Sequence, residues 1–201
     1  MTLIENTRYS ELKNKPVFDS KGVKLGRVID IVFSTTDSVI SINSIVLGDS
    51  PFEEFLEKIG SKPDMDPIIC KTYIKSIDED IELTDTKDSI AEDFDKCKLD
   101  DTLWTFTKLA KLPIVDSNGN EIGNIIDVWF DSSGGIWFIV GGGTIEEILE
   151  KVGILPDIDL LVSPRTIKEF TQDAITITWN VDDIEAACEN APDSSEIMIR
   201  S

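Results

Sequence analysis

The hydrophobic pattern of the chain indicates short strands. Over residues 27–33 apolar side chains recur at every second position, which is the period of an extended strand. Ile29 and Ile31 lie on one face of this strand, while Val28 and Val32 lie on the other. Because both faces are partly apolar, we expect another part of the molecule to cover the outer face.

A second pattern has the period of an α-helix. Four apolar residues at positions i, i+3, i+4 and i+7 form one stripe along a helix. They are Phe52, Phe55, Leu56 and Ile59, and the spacing recurs at Ile145, Ile148, Leu149 and Val152. Glutamates begin each segment, where the helix dipole favours negative charge, and a glycine follows each one. The sequence therefore predicts two short amphipathic helices.

Both patterns belong to an internal repeat. Residues 16–22 (PVFDSKG) match residues 113–119 (PIVDSNG) at an offset of 97, and Gly26 matches Gly123 at the same offset. A shortening by four residues then changes the offset to 93, which aligns the two helical segments. We count 22 identities over about 70 aligned positions, far more than unrelated sequences share, so the chain contains a tandem duplication.

The duplication sets the predicted domain boundaries. The first repeat covers residues 1–83, an acidic linker covers 84–105, the second repeat covers 106–180, and a short helix and tail cover 181–201. The linker sequence predicts a short helix near residues 89–97. The alternative is that the linker packs against one of the barrels. The tail predicts a helix over 182–189 and then a short apolar end.

Each repeat predicts a small β-fold. Asp19 and Gly22 mark a hairpin turn, and Asp116 and Gly119 repeat it, because Asp closes a turn with its side chain and Gly accepts a positive φ. Further strands are expected after the helix, which gives about six short strands and one helix in roughly 75 residues. The predicted fold class is therefore all-β with minor α: two small barrels in tandem.

Net charge restricts the partners. The chain has 39 acidic and 19 basic residues, which gives a formal charge of −20. Such a field repels phosphate backbones and anionic lipid head groups, since both are bound chiefly through Lys and Arg. We therefore expect protein partners and no nucleic acid. No apolar run approaches the roughly 20 residues that span a bilayer, and no signal-peptide pattern opens the chain, so we expect a cytoplasmic protein that reaches a membrane only through a partner.

Catalytic chemistry is disfavoured. The chain has no histidine, which excludes every triad and metal site that depends on imidazole, so we expect no enzyme activity and no cofactor. The acidic loops at 63–66 and 156–159 supply too few carboxylates for a metal cage. Cys70, Cys97 and Cys188 are odd in number and far apart, and we expect them to be reduced thiols.

The repeated segments resemble the PRC-barrel family, named after the H subunit of the photosynthetic reaction centre and shared with the C-terminal domain of the ribosome maturation factor RimM. The family pattern is an apolar strand, a turn with glycine, then Leu-Gly-x-Val-x-Asp and a β-rich run. It occurs at residues 16–33 and, with Ile for Leu and for Val, at residues 113–130. The resemblance covers about 150 residues and implies two tandem β-barrels of a type used as adaptor and assembly modules.

Six residues of the family pattern are expected to have structural roles. They are Gly22, Gly26 and Asp30 with their counterparts Gly119, Gly123 and Asp127. The two aspartates belong to different repeats and lack a fixed catalytic partner, so we predict that each makes a backbone hydrogen bond that holds its strand.

Two tryptophans break the symmetry of the repeats. Trp129 and Trp137 stand where the first repeat has Val32 and Ser44. Strict alternation puts both on faces other than the predicted core sets, which are Ile126 with Phe130 and Ile136 with Phe138. We predict a partner-binding surface at Trp129, Trp137 and Ile139, because Trp often anchors protein interfaces. Packing beneath the helix of the same barrel is the alternative.

The predicted function is that of a non-enzymatic adaptor or scaffold that binds other proteins or copies of itself. The sequence looks most similar to stand-alone archaeal PRC-barrel proteins, some of which act in cell division beside SepF and FtsZ. A SepF-like partner is therefore the first expectation. The second follows the likeness to RimM and is a ribosome assembly factor that binds a basic ribosomal protein.

Overall fold

The computed structural model describes residues 6–36, 39–58, 66–92, 103–133, 135–151, 159–189 and 196–199. The chain forms two compact units. Unit 1 consists mainly of residues 1–35 and 41–106, and unit 2 mainly of residues 107–131 and 135–201.

Unit 1 is built on one antiparallel-rich sheet. The strands of this sheet are β2 (Pro16–Phe18), β3 (Lys24–Thr36), β4 (Val39–Gly48), β5 (Ile68–Cys70), β6 (Ile74–Ile77), β7 (Ile81–Leu83) and β8 (Leu103–Thr105). The short strand β1 (Thr7–Arg8) lies outside it, and the helices are α1 (Tyr9–Leu12), α2 (Pro51–Lys58) and α3 (Lys87–Glu92). The strand order is β5-β4-β3-β2-β7-β6, and β8 pairs with β3. A 3₁₀ turn at Lys71–Tyr73 joins the two end strands, so the sheet curls on itself as in a small barrel.

Unit 2 repeats this plan. Its elements are α4 (Phe106–Leu109), β9 (Pro113–Val115), β10 (Glu121–Phe130), β11 (Ile136–Gly141), α5 (Thr144–Lys151), β12 (Asp159–Val162), β13 (Ile167–Phe170), β14 (Ile175–Ile177), α6 (Val181–Glu189) and β15 (Glu196–Ile199). The strand order is β13-β14-β9-β10-β11-β12-β15. A 3₁₀ turn at Pro164–Thr166 again leads from β12 into β13. The predicted fold, two mostly β repeats that each contain a short amphipathic helix, is confirmed.

The two amphipathic helices lie where the apolar stripes predicted them. In α2 the side chains of Phe52 and Leu56 are buried, and in α5 those of Ile145, Ile148 and Leu149 are buried. Burial of one such side chain stabilises the fold by about 1.5–3 kcal/mol. The last stripe positions, Ile59 and Val152, and the glycines that follow them lie outside the described residues.

Gly26 and Gly123 allow the start of β3 and of β10 to pass close to the end of the next strand. A Cβ on Gly123 would lie 2.7 Å from the carbonyl oxygen of Gly141 and 2.8 Å from that of Gly142. A Cβ on Gly26 would lie 3.0 Å from the carbonyl oxygen of Gly48. Because the obstructing atoms are backbone, a side chain at either position would push two strands apart.

The regions around the repeats contain further helices and strands. The segment predicted as a linker contains α3 and β8, which belong to unit 1, and residues 93–102 lie outside the described residues. In the tail, α6 begins at Val181, and β15 pairs in parallel with β12.

The prediction of three reduced thiols is wrong at Cys70, which is disulfide-bonded at the end of β5. Cys188 is a free thiol, and its burial raises its pKa. Cys97 lies outside the described residues. Distance along the chain misled the prediction, because a disulfide depends on proximity in the folded structure.

Candidate interaction surface

The carboxylates predicted to be structural bond to their own strands. The Oδ1 atom of Asp30 accepts a hydrogen bond of 2.8 Å from the backbone N–H of Ile31. Asp127 makes the same bond, also 2.8 Å long, with the backbone N–H of Val128. Asp30 is 8% exposed, and Asp127 is half-buried.

A second pair of aspartates, Asp19 and Asp116, binds the turn and also a distant helix. Asp116 Oδ1 accepts from the backbone N–H groups of Asn118 and Asn120, both at 2.8 Å, and Oδ2 accepts from the backbone N–H of Val181 at 3.3 Å. Val181 is the first residue of α6. Sequence reasoning found the turn but missed the helix, because the helix begins 65 residues later.

Asp19 does the same in unit 1. Its Oδ1 accepts from the backbone N–H groups of Lys21 at 2.9 Å and Val23 at 2.8 Å, and Oδ2 accepts from that of Lys87 at 3.0 Å, the first residue of α3. Burial alone would raise the pKa of Asp19 and of Asp116, but these hydrogen bonds favour the charged form and hold both pKa values below the ordinary one. The duplicated unit therefore includes the helix after its last strand.

Trp129 and Trp137 form a cross-strand pair. They lie directly opposite each other in the antiparallel ladder of β10 and β11, and both side chains are half-buried. The indole Nε1 of Trp137 donates to Asp131 Oδ2 at 2.9 Å, while Asp131 Oδ1 accepts from the backbone N–H of Gly135 at 2.8 Å. The hairpin carboxylate thus fixes one indole ring and leaves part of both rings exposed.

Ile139 is part of the protein interior. It lies opposite Asp127 on β10 and opposite Leu161 on β12, and its side chain is 1% exposed. It therefore supports the strand pair from within and offers no exposed surface of its own.

Ile126 corrects the predicted core. Strict alternation placed it with Phe130 in the interior, but it is 59% exposed, whereas Phe130 is 1% exposed. The register of β10 shifts between Ile125 and Asp127, so one extra residue reverses the alternation at this point. Ile126 lies against Gly141, where a Cβ would come within 2.9 Å of its Cδ1 atom. A β-bulge leaves no clear signal in a hydrophobic pattern, so the sequence could not reveal this exposed side chain.

Among the described residues, no group of three or more His, Cys, Asp or Glu side chains is placed to hold a metal ion. In the same ranges no helix has the length and apolar character needed to cross a bilayer. Of the two acidic loops, only Asp66 and Asp159 belong to the described residues.

Comparison with known proteins agrees with the duplicated fold. A model of the PRC-barrel domain family matches the chain twice, at residues 5–90 and at residues 105–178. No curated protein matches it. The two matches cover most of the chain and correspond to the two repeats, so the protein belongs to the PRC-barrel domain family and contains two such domains in tandem.

Proposed function

We propose that the protein is a non-enzymatic adaptor that binds other proteins through its PRC-barrel domains. Domains of this family are often protein-interaction modules. The observation that carries the proposal is the cross-strand pair of Trp129 and Trp137. The counterparts Val32 and Ser44 in the first repeat are fully buried, whereas both indoles keep part of their surface exposed. Tryptophan contributes large contact areas at interfaces, so this face of unit 2 is the binding surface.

The partner proposed first is a SepF-like cell-division protein, which makes this chain a scaffold in an archaeal division complex beside FtsZ. The support is the family resemblance and the partly exposed tryptophan pair. Purified SepF-like protein is titrated into the full chain, and binding is followed by isothermal titration calorimetry.

A double variant, Trp129→Ser with Trp137→Ser, is expected to weaken binding at least tenfold, because loss of one interface hot spot costs about 2 kcal/mol or more. Trp179→Ser is the matched control, since Trp179 is also half-buried but lies outside the β10–β11 pair. Equal binding by the double variant and the wild-type chain would remove the tryptophan pair from the interface.

The alternative partner is a basic ribosomal protein, as for RimM, and the net charge of −20 specifically favours it. Attraction between opposite charges accelerates association and weakens as salt screens it. Affinity for the ribosomal protein should therefore fall steeply between low and physiological salt, and the chain should sediment with precursor ribosomal subunits. Salt-independent affinity together with no cosedimentation would reject this alternative.

A further inference from the structure

The turn between β9 and β10 contains the only Asn–Gly pair in the chain, Asn118–Gly119. Asn118 is exposed, and among the described residues its side-chain amide has no hydrogen-bond partner. Asparagine is a thermolabile residue, because its side-chain amide can lose ammonia to the backbone nitrogen of the next residue. Glycine as the next residue has no side chain that hinders this attack. The turn therefore presents the pair of residues at which the reaction meets the least obstruction.

The equivalent turn of unit 1 has the same backbone without the reactive pair. Gly22 and Gly119 both have a positive φ, 75° and 87°. The residue before glycine is Lys21 in unit 1 and Asn118 in unit 2. Each donates its backbone N–H to the aspartate of its own turn, at 2.9 Å and 2.8 Å. Because lysine has no side-chain amide, the two turns share their geometry but differ in this chemistry.

The attacking nitrogen is held by one hydrogen bond of the turn. The backbone N–H of Gly119 donates to the carbonyl oxygen of Asp116 at 3.1 Å. The N–H groups of Asn118 and Asn120 donate to the carboxylate of the same aspartate, both at 2.8 Å. Opening of the longer bond alone exposes the Gly119 nitrogen. Local openings of this kind need much less free energy than global unfolding, so the folded chain can react.

We propose that Asn118 is a site of spontaneous deamidation in the folded protein, and that its conversion to isoaspartate loosens helix α6. A solvent base first takes the proton of the Gly119 N–H, and the nitrogen bonds to Cγ of Asn118. The Cγ–Nδ2 bond then breaks, and ammonia leaves with a proton from water. Water next opens the succinimide ring. Cleavage between the ring nitrogen and Cγ gives aspartate, whereas cleavage between that nitrogen and the backbone carbonyl carbon gives isoaspartate.

Isoaspartate puts one extra carbon into the backbone ahead of Gly119. The N–H groups of Gly119 and Asn120 are therefore expected to move out of reach of Asp116. The Asp116 carboxylate also accepts from the backbone N–H of Val181 at 3.3 Å, at the start of α6. When the turn no longer holds this carboxylate, its bond to α6 weakens as well. The aspartate product keeps the normal backbone and only adds a second carboxylate near Asp116.

Cys188 reports on the opening of α6. It lies on this helix, its thiol is free, and its side chain is 3% exposed. A thiol reagent therefore reaches it only when the helix opens. Loss of one hydrogen bond shifts an opening equilibrium about fivefold, so Cys188 should react severalfold faster in the isoaspartate form.

The first measurement is the extent of deamidation. The full chain is incubated in the folded state at neutral and at mildly alkaline pH, and its peptides are analysed by mass spectrometry and by an isoaspartate-specific methyltransferase assay. Conversion of Asn118 should rise with pH, because the attacking nitrogen must lose a proton. Asn120 is the internal control and should stay unconverted, since its Nδ2 donates to Asp116 Oδ2 at 3.0 Å and the bulkier Glu121 follows it. Conversion of Asn118 only after unfolding in urea would overturn the proposal.

The second measurement is the rate at which a maleimide modifies Cys188, determined on the Cys188 peptide. The incubated wild-type chain should react at least about threefold faster than the fresh chain. Asn118→Lys is the matched control, because unit 1 has lysine in the same turn, and its rate should not change on incubation. Asn118→Asp should react like the fresh wild-type chain.

Two results would reject the effect on α6. Equal rates for the fresh chain and for a chain that contains isoaspartate would show that the turn does not hold the helix. A rate for Asn118→Asp as high as that of the incubated wild-type chain would assign the loosening to charge and overturn the role of isoaspartate.

Discussion

The same pair of strands carries different side chains in the two repeats. In unit 1, Val32 and Ser44 are fully buried, and in unit 2 the equivalent Trp129 and Trp137 are half-buried and directly opposite each other. The surrounding backbone is shared, because both units have the same strand order up to β5 and β12 and the same aspartate-bound turn. Identity between the repeats therefore marks the positions that build the barrel, while the differences mark where the two barrels acquired separate surfaces.

The largest loss of stability is expected where two strands pass close to each other, at Gly123 and Gly26. Gly123→Ala places a Cβ within 2.8 Å of two backbone carbonyl oxygens, and Gly26→Ala places one at 3.0 Å from a single carbonyl oxygen. We expect Gly123→Ala to lower the free energy of unfolding by about 2–4 kcal/mol and Gly26→Ala by about 1–2 kcal/mol, because the strands must separate. Urea unfolding of both variants measures the difference. Equal losses would show that the two crossings are equally tolerant.

Substitution of the turn aspartates should cause the next largest loss of stability, and this loss should depend on pH. Asp116→Asn and Asp19→Asn each replace a carboxylate that accepts backbone hydrogen bonds, at a cost of about 1–3 kcal/mol at neutral pH. The folded-state pKa of each aspartate lies below its ordinary value of 3.8, so its contribution is present above that value and lost as pH falls through the folded-state pKa.

Unfolding measured from pH 6 to pH 2 should therefore converge for each variant and the wild-type chain at the acidic end. Asp127→Asn is the control, because the hydrogen bond of 2.8 Å that Asp127 Oδ1 accepts comes from the neighbouring Val128 N–H. A constant difference across this pH range would show that the charge of Asp19 and Asp116 does not contribute.

The indole hydrogen bond of Trp137 should contribute less. Trp137→Phe keeps an aromatic ring but removes the Nε1 donor to Asp131. The expected loss of stability is about 0.5–1.5 kcal/mol, measured by thermal unfolding. Trp129→Phe is the matched control on the facing strand. If Trp137→Phe were as stable as the wild-type chain, the tryptophan pair would be held by packing alone.

The smallest change in stability is expected at Ser44, where substitution should stabilise the fold and not weaken it. Its Oγ atom is buried and has no hydrogen-bond partner among the described residues. Ser44→Ala removes a buried polar atom, so stability should stay unchanged or rise by up to about 1 kcal/mol. Loss of more than 1 kcal/mol in urea unfolding would show that the hydroxyl has a stabilising partner.

The sequence predicted the helices and strands well, but it did not predict the bulge in β10 or the disulfide of Cys70. The helical stripe of Phe52 and Leu56 and its counterpart in α5 were found because burial on one face imposes a period that survives in the sequence. The predicted position of Ile126 was wrong, since the bulge in β10 puts Ile126 and Phe130 on different faces of the strand. The disulfide of Cys70 was also missed, because the number and spacing of cysteines do not show which sulfur atoms meet in the folded chain.

The candidate site could be predicted only in part. The break in symmetry at Trp129 and Trp137 is visible as soon as the repeats are aligned, but the burial of Ile139 is not, because both faces of β11 are apolar.

The bonds from Asp19 to α3 and from Asp116 to α6 also bear on how a single repeat should be expressed. Each carboxylate joins the start of its barrel to a helix 65 to 68 residues later, so forming the bond closes a long loop. A fragment that stops at residue 83 lacks the Lys87 N–H and leaves a buried oxygen of Asp19 without that donor. A fragment that continues to residue 92 retains the bond, and should refold as an isolated barrel when the shorter one does not.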